Sequence, residues 1–304
     1  MPLRVGTDCS GIEAPIIALR QMKIPFIHSF SSEIDVHCIK MIRANFSPNI
    51  LYGDIRHRSL QGLPDVDLYV CGFPCQPFSS AGKRNGSTDP RGQIFWECLR
   101  VIRSKKPRWF LLENVPGMLS LRDDFQTLVQ ELESLNAYEI HWKILNTADY
   151  GIPQSRKRLY IIGLLRKHIQ QPFQWPQPVP CPPVSHLVDW RDRTPHPKIT
   201  TRMKTIIHNA PPDAVFLNLS FSKDPNKKTP YVSPTLTSAG NMWCVPLRRF
   251  ANPTECLRLQ GFPSTFKIVV SPRQIKKQLG NTMSVNVIIA LFTSMFRASP
   301  MSFR

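Results

Sequence analysis

Leu3-Arg4-Val5-Gly6-Thr7-Asp8-Cys9-Ser10-Gly11-Ile12 is an apolar run that ends in a carboxylate and a glycine-bearing turn. It reads as a strand over Leu3 to Thr7, followed by a helix over Ala14 to Met22 and a second strand over Phe26 to Ser31. The same alternation continues outward. Helices are predicted over Val36 to Ala44, Ile94 to Arg103 and Phe125 to Leu135. Strands are predicted over Val66 to Cys71, Trp109 to Leu112, Tyr138 to Leu145 and Leu159 to Leu165. Strands alternating with helices at this spacing predict an α/β fold, a doubly wound and mostly parallel sheet covered on both faces. Ligands of such sheets bind beyond the carboxyl ends of the strands. Gly11 lies at such an end and lets a ligand approach the backbone. Glu33 ends the second strand, where an acidic group accepts hydrogen bonds from ribose hydroxyls. Gly53-Asp54-Ile55 adds a carboxylate suited to an exocyclic amine. Together these residues outline a site for a nucleoside-bearing cofactor.

Directly after the strand at Val66 to Cys71 comes Gly72-Phe73-Pro74-Cys75-Gln76-Pro77-Phe78-Ser79. Each proline fixes its own φ and pushes the preceding residue towards extended backbone. A thiol between two prolines is therefore aimed in one direction, which a nucleophile needs. By itself the motif is more often a buried structural cysteine, and only the other segments reverse that reading.

The chain has 304 residues, with 39 Lys+Arg against 21 Asp+Glu, a formal net charge of +18. This excess points to a polyanionic partner, with nucleic acid favoured over a membrane surface. No long uncharged apolar run predicts a spanning helix. The eight cysteines are scattered and form no metal-ligand pattern with histidine, so no metal is expected. The N-terminus lacks the apolar core of a signal peptide, and a reducing intracellular compartment is expected. That compartment is the nucleus in a eukaryote and the cytoplasm otherwise.

Periodicity fades after about residue 170, and thirteen prolines fall between Pro172 and Pro234. Trp175, Trp190, Trp243 and Phe216 argue against a disordered linker and for a small, irregular folded domain. Order returns at Pro253 to Pro263, and Ser284 to Phe296 reads as an apolar helix packing back on the first domain. Elsewhere Glu113-Asn114-Val115-Pro116 follows an apolar strand, where a glutamate either caps a turn or serves as an acid. Gln154-Ser155-Arg156-Lys157-Arg158 sets two arginines at strand spacing, able to bind a carboxylate, a phosphate or a base oxygen.

Taken in order, these segments resemble the DNA (cytosine-5) methyltransferases that depend on S-adenosylmethionine. Pro74 to Ser79 matches the nucleophile loop, and Asp89, Arg91, Gly92, Phe95 and Glu97 match the helix behind it. Glu113-Asn114-Val115 matches the catalytic glutamate segment, and Gln154, Arg156 and Arg158 the paired-arginine strand. Arg249 through Pro263, including Arg258, matches the segment that organises target recognition, and Gln278, Gly280, Asn281 and Ser284 the last cofactor motif. Three positions depart from the pattern: Cys9 stands for an aromatic residue, Glu13 for a glycine and Ile34 for a tryptophan.

The resemblance implies a class I, Rossmann-like catalytic domain over 1–185 and 276–304, with a target-recognition domain over 186–275. It implies catalytic roles for Cys75, Glu113, Arg156 and Arg158. It implies S-adenosylmethionine binding by Ser10, Gly11, Ile12, Glu33, Ile34, Asp54, Ile55, Pro74, Asn281 and Ser284. Gln76, Ser79, Arg91, Asn114, Gln154 and Arg258 are implied to contact the substrate. The expected partner is double-stranded DNA, met by a monomer with no membrane association. A tRNA-acting relative would carry Cys-Phe-Thr in its target region, a tripeptide this sequence lacks. A catalytically silent nucleic-acid-binding relative is the other alternative, opposed by intact Cys75, Glu113, Arg156 and Arg158.

Overall fold

The computed structural model describes residues 1–74, 94–195, 197–220 and 231–301. The chain folds as two compact units, one of residues 1–145, 157–176 and 288–304, the other of residues 146–156 and 177–287.

Unit 1 is built on a seven-stranded sheet in the order β3-β2-β1-β4-β5-β7-β6. Its strands are β1 (Leu3–Asp8), β2 (Phe26–Ser32), β3 (Ile50–Tyr52), β4 (Leu68–Cys71), β5 (Trp109–Asn114), β6 (Tyr138–Asn146) and β7 (Lys157–Leu165). From β3 through β5 all neighbours run parallel, and β7 runs antiparallel to β5. The chain winds outward from β1 to β3, then restarts at β4 on the other side of β1. The doubly wound sheet read from the sequence is thus present, with its switch point between β1 and β4.

Helices α1 (Ala14–Gln21), α2 (Val36–Asn45), α3 (Ile94–Lys105) and α4 (Arg122–Glu133) connect the strands. Helix α4 opens three residues before the expected Phe125, with Asp123 and Asp124 in its first turn. Acidic groups there favour the positive end of the helix dipole, a charge effect that apolar periodicity does not register. Strands β4, β5 and β7 are buried along almost their whole length, as central strands covered on both faces must be. Phe110 packs face-on where Gly163 pairs with it across β5 and β7, and a β-carbon on Gly163 would lie 1.9 Å from the ring.

Unit 2 has a three-stranded antiparallel sheet in the order β10-β9-β8, from β8 (Phe216–Asn218), β9 (Met242–Cys244) and β10 (Arg249–Phe250). Helices α5 (Thr201–His208), α6 (Pro253–Leu259) and α7 (Pro272–Asn281) accompany it. Ala214, Leu217, Leu219 and Trp243 form its small core, against which Met203 and Ile207 pack. Helix α8 (Val285–Ala298) continues from α7 after a break. The stretch Pro272–Ala298 is long and apolar enough to cross a membrane, yet 67% of its most apolar window is buried within the protein, as in a core helix.

Gly163→Ala should lower stability by about 1–3 kcal/mol, because overpacking forces the Phe110 ring to shift. Adding Phe110→Leu in the same chain should recover part of the loss. Thermal unfolding of the parent and the two variants checks this, and a Gly163→Ala protein as stable as the parent would refute it.

Candidate active site

At the carboxyl end of β1 the backbone turns through three left-handed residues, Cys9, Gly11 and Glu13, with φ of 49°, 56° and 63°. Gly11 donates its N–H to Glu33 Oε2 at 2.7 Å, and Ile34 and Asp35 donate theirs to Oε1 at 2.9 Å. Burial raises the Glu33 carboxyl above 4.5, against the pull of those amide donors. A β-carbon on Gly11 would point into open space, so the backbone of the turn is open to the approach of a ligand. Ile34 stands beside this space with 67% of its surface exposed.

The other expected cofactor residues have different surroundings. Ser10 is buried, bonded through Oγ to the Thr7 carbonyl and hydroxyl, and accepts the Ser32 N–H. Ile12 and Ile55 are buried. Asp54 caps a short turn and pairs with Arg56, which holds its carboxyl down at about 2.

Two buried polar clusters lie at this end of the sheet, and neither has a local sign in the sequence. Glu13 is fully buried and accepts from the hydroxyls of Thr7 at 2.7 Å and Ser31 at 2.6 Å, with His28 Nε2 at 3.4 Å. Asp8 receives both terminal nitrogens of Arg58, at 2.6 and 2.7 Å, and the Tyr69 hydroxyl at 2.7 Å. Arg58 also reaches Ser32 Oγ and lies over the rings of Phe30 and Tyr52. Burial opposes its charge, but the Asp8 pair prevails and holds the guanidinium above its usual range.

Further along the same strand ends, Glu113 closes β5 and pairs with Arg158 of β7, Oε1 to Nε at 3.1 Å. Asn114 beside it accepts the Val115 N–H and donates to the Phe73 carbonyl at 3.4 Å. Phe73 immediately precedes Pro74, where the nucleophile loop begins. Cys75, Gln76, Ser79 and Arg91 lie outside the described residues.

The remaining predicted residues belong to unit 2. Gln154 is buried, donating to the Leu259 carbonyl and accepting from Leu236 N–H. Arg156 is 1% exposed and donates to the carbonyls of Leu236, Gly280 and Thr282. Of the two arginines, then, Arg158 meets the glutamate while Arg156 gathers three backbone carbonyls from two segments. Ser284 is buried between Thr147 Oγ1 and Gln260 Oε1. Asn281 is exposed at the end of α7. Arg258 donates to the Leu187 carbonyl. Among the described residues no cluster of side chains is placed to hold a metal ion.

Arg58→Ala strands the buried Asp8 carboxylate and should cost about 3–5 kcal/mol. The double variant Asp8→Asn, Arg58→Met should recover much of that, since it leaves no unpaired charge. Denaturant unfolding of both reads the difference, and a loss under about 1 kcal/mol for Arg58→Ala would contradict the role of the pair.

The sequence profile of the C-5 cytosine-specific DNA methylases matches residues 8–230 and 245–297. The type II methyltransferase M.HaeII of Haemophilus aegyptius is 36% identical over 288 residues, covering 90% of this chain and 87% of its own. M.NgoBI of Neisseria gonorrhoeae, also a type II methyltransferase, is 36% identical over 272 residues, with 86% and 83% covered. In fold, the chain resembles the Entamoeba histolytica methyltransferase EhMeth (TM-score 0.73, 20% identity, 98% of each chain). It is similarly close to the S. pombe Dnmt2 methyltransferase (TM-score 0.72, 20% identity, 97% of this chain and 98% of that one). The chain belongs to the C-5 cytosine-specific DNA methylase family, enzymes that methylate carbon 5 of cytosine in DNA with S-adenosylmethionine.

Proposed function

We propose that this methyltransferase acts on duplex DNA as a monomer, through a covalent adduct between Cys75 and a cytosine turned out of the helix. The observation that carries the reading is the Glu113–Arg158 pair at the end of β5, beside an Asn114 that grips the start of the Cys75 loop. A stacked cytosine hides carbon 6, so the base must leave the stack before a thiolate can reach it. Cys75 adds to carbon 6, and the ring electrons make carbon 5 nucleophilic. Glu113, as the carboxylic acid, donates a hydrogen bond to ring nitrogen 3 and stabilises the negative charge that develops there. Arg158 fixes the orientation of that carboxyl group. After methylation a base takes the proton from carbon 5, and the bond between carbon 6 and sulfur breaks to release Cys75.

S-adenosylmethionine, when bound, supplies an electrophilic methyl on its sulfonium. Gly11, Glu33 and Ile34 would hold it: the space over Gly11, the half-buried carboxylate and the exposed side chain of Ile34 suit a backbone approach, a ribose and an adenine face. Asn281 and Ser284 are candidates by the resemblance alone, while Ser10 and Ile12, buried in the Gly11 turn, support it from within. Arg156 and Gln154 act as positioning residues for the backbone around them. The segment over 186–275 reads the DNA sequence, a role its basic side chains and irregular loops suit. The expected setting is an intracellular, reducing compartment.

DNA carrying 5-fluorocytosine at a methylated site should form a denaturant-stable adduct, because fluorine cannot leave as the proton does. Cys75→Ala should form none, and an adduct mapped to another cysteine would refute the assignment. Arg158→Gln should lower kcat by roughly a hundredfold with little change in KM, as loss of a group that acts mainly in the transition state does. Glu33→Ala should weaken S-adenosylmethionine binding by roughly ten- to a hundredfold, about 1.5–3 kcal/mol. Calorimetry reads that change, and equal affinity would remove Glu33 from the site.

A further inference from the structure

The cofactor loop and Glu113 occupy the carboxyl ends of the parallel strands, and the opposite edge of the same sheet has no part in the mechanism. Backbone bonds show which residues share that edge. Leu3 N–H donates to the Pro25 carbonyl, Asp67 N–H to Arg4, Trp109 N–H to Asp67, Leu165 N–H to Arg108, and Gln170 N–H to Ala298. The turns that enter β2 and β5, the exit of β7 and the end of α8 therefore meet at one pole of unit 1.

This pole is strongly cationic. Lys23, Lys106, Arg166, Lys167 and Arg297 are all exposed there. Among the described carboxylates nearby, Asp67, Asp65 and Glu131 are paired with Arg4, Lys105 and Arg103, Glu139 lies against His141, and Glu133 is exposed. Arg108 is anchored over the Trp109 ring and donates to Ser299 and to the Pro300 carbonyl. The local field also shows on His168, whose pKa is lowered first by burial and then by Arg108 and Lys167.

We propose that this pole is a second binding surface for the phosphate backbone of duplex DNA, separate from the methylation site. From β1 to β7 is three strand spacings, about 14 Å, a width across which a duplex presents roughly four phosphates per strand. The six residues of β1 hold the pole about 20 Å from the Gly11 turn. A duplex segment seated here is therefore not the one being methylated, and a long DNA molecule can occupy both places. Binding DNA at two points raises the local concentration of further sites without any new base contact. Duplex DNA is favoured over an anionic membrane because DNA is already this family's substrate and is present wherever the enzyme works.

The test compares a pole variant, Lys106→Gln, Arg166→Gln, Lys167→Gln and Arg297→Gln together, with a control variant, Lys40→Gln and Arg43→Gln, two exposed cations of α2. Each phosphate contact contributes about 0.9 to the slope of log affinity against log salt. On long non-cognate duplex the slope should fall by about 2 or more in the pole variant and by less per removed charge in the control. The kcat on a short duplex spanning only the recognition site should stay within about twofold of the parent, since none of these residues lines the site. An unchanged slope, or an equal loss per charge in the control, would overturn the proposal. So would intact duplex binding with lost affinity for vesicles of anionic lipid, which would make the pole a membrane surface. If the fourfold variant fails to fold, Lys106→Gln with Lys167→Gln carries the same comparison, both side chains being exposed.

Discussion

A buried arginine–carboxylate pair sits at the point on which unit 1 depends. Asp8 and Arg58 are almost wholly removed from water, a costly arrangement unless geometry and hydrogen bonds compensate. Here both oxygens of Asp8 receive guanidinium nitrogens, Tyr69 adds a hydroxyl, and Arg58 lies against two rings. The partners come from the ends of β1, β2 and β4 and the turn after β3, so the pair fixes the strand ends on both sides of the switch point. The cofactor turn begins one residue beyond Asp8. The left-handed backbone at Cys9, Gly11 and Glu13 is held by the surrounding structure, above all by Glu33 and the buried hydroxyls around Glu13.

The second unit uses the same device. Arg249 meets Glu255 through two parallel bonds of 2.8 Å, with Asp192 at 3.2 Å from its Nε. Glu255 also accepts backbone N–H groups from Asn252 and Asp189, closing a capping box on α6. Arg156 does for residues 236, 280 and 282 what Arg249 does for α6. Few regular elements and many prolines leave this unit short of sheet hydrogen bonds. Buried arginines donating to carbonyls replace them and specify one arrangement of irregular loops. The close fit of Gly280 against the backbone of Ser238, where a β-carbon would lie 2.2 Å away, fits such a tightly specified interior.

The order of strands and helices in unit 1 was legible because it follows from local periodicity and from the rule for parallel crossovers. The chemical type of the site was legible too. Glu113 and Glu33 stand at strand ends that a doubly wound sheet brings to one edge, and their residue types suit the chemistry expected there. The partner of each group was not legible. Arg156 and Arg158 look alike in the sequence, two residues apart, yet one holds three carbonyls in unit 2 and the other orients Glu113. The pairing of Asp54 with Arg56 had no sign in the sequence either. Glu13 looked like a departure from a glycine pattern and is the buried acceptor of two hydroxyls.

By itself, then, the sequence pointed to the sheet through short-range pattern, to the reaction type through motifs that resemble a known family in their order, and to a polyanionic partner through net charge. Only the tertiary structure decided which charges are buried and paired and which remain in water. Asp8 and Arg58 are fifty residues apart, and nothing local to either encodes the other. The same holds for the cations of Lys23, Lys106, Arg166 and Arg297, which are scattered along the chain and share one pole because the strands that carry them end there. Pairing of charge is a property of through-space distance in a low-dielectric interior, and distance is what folding supplies.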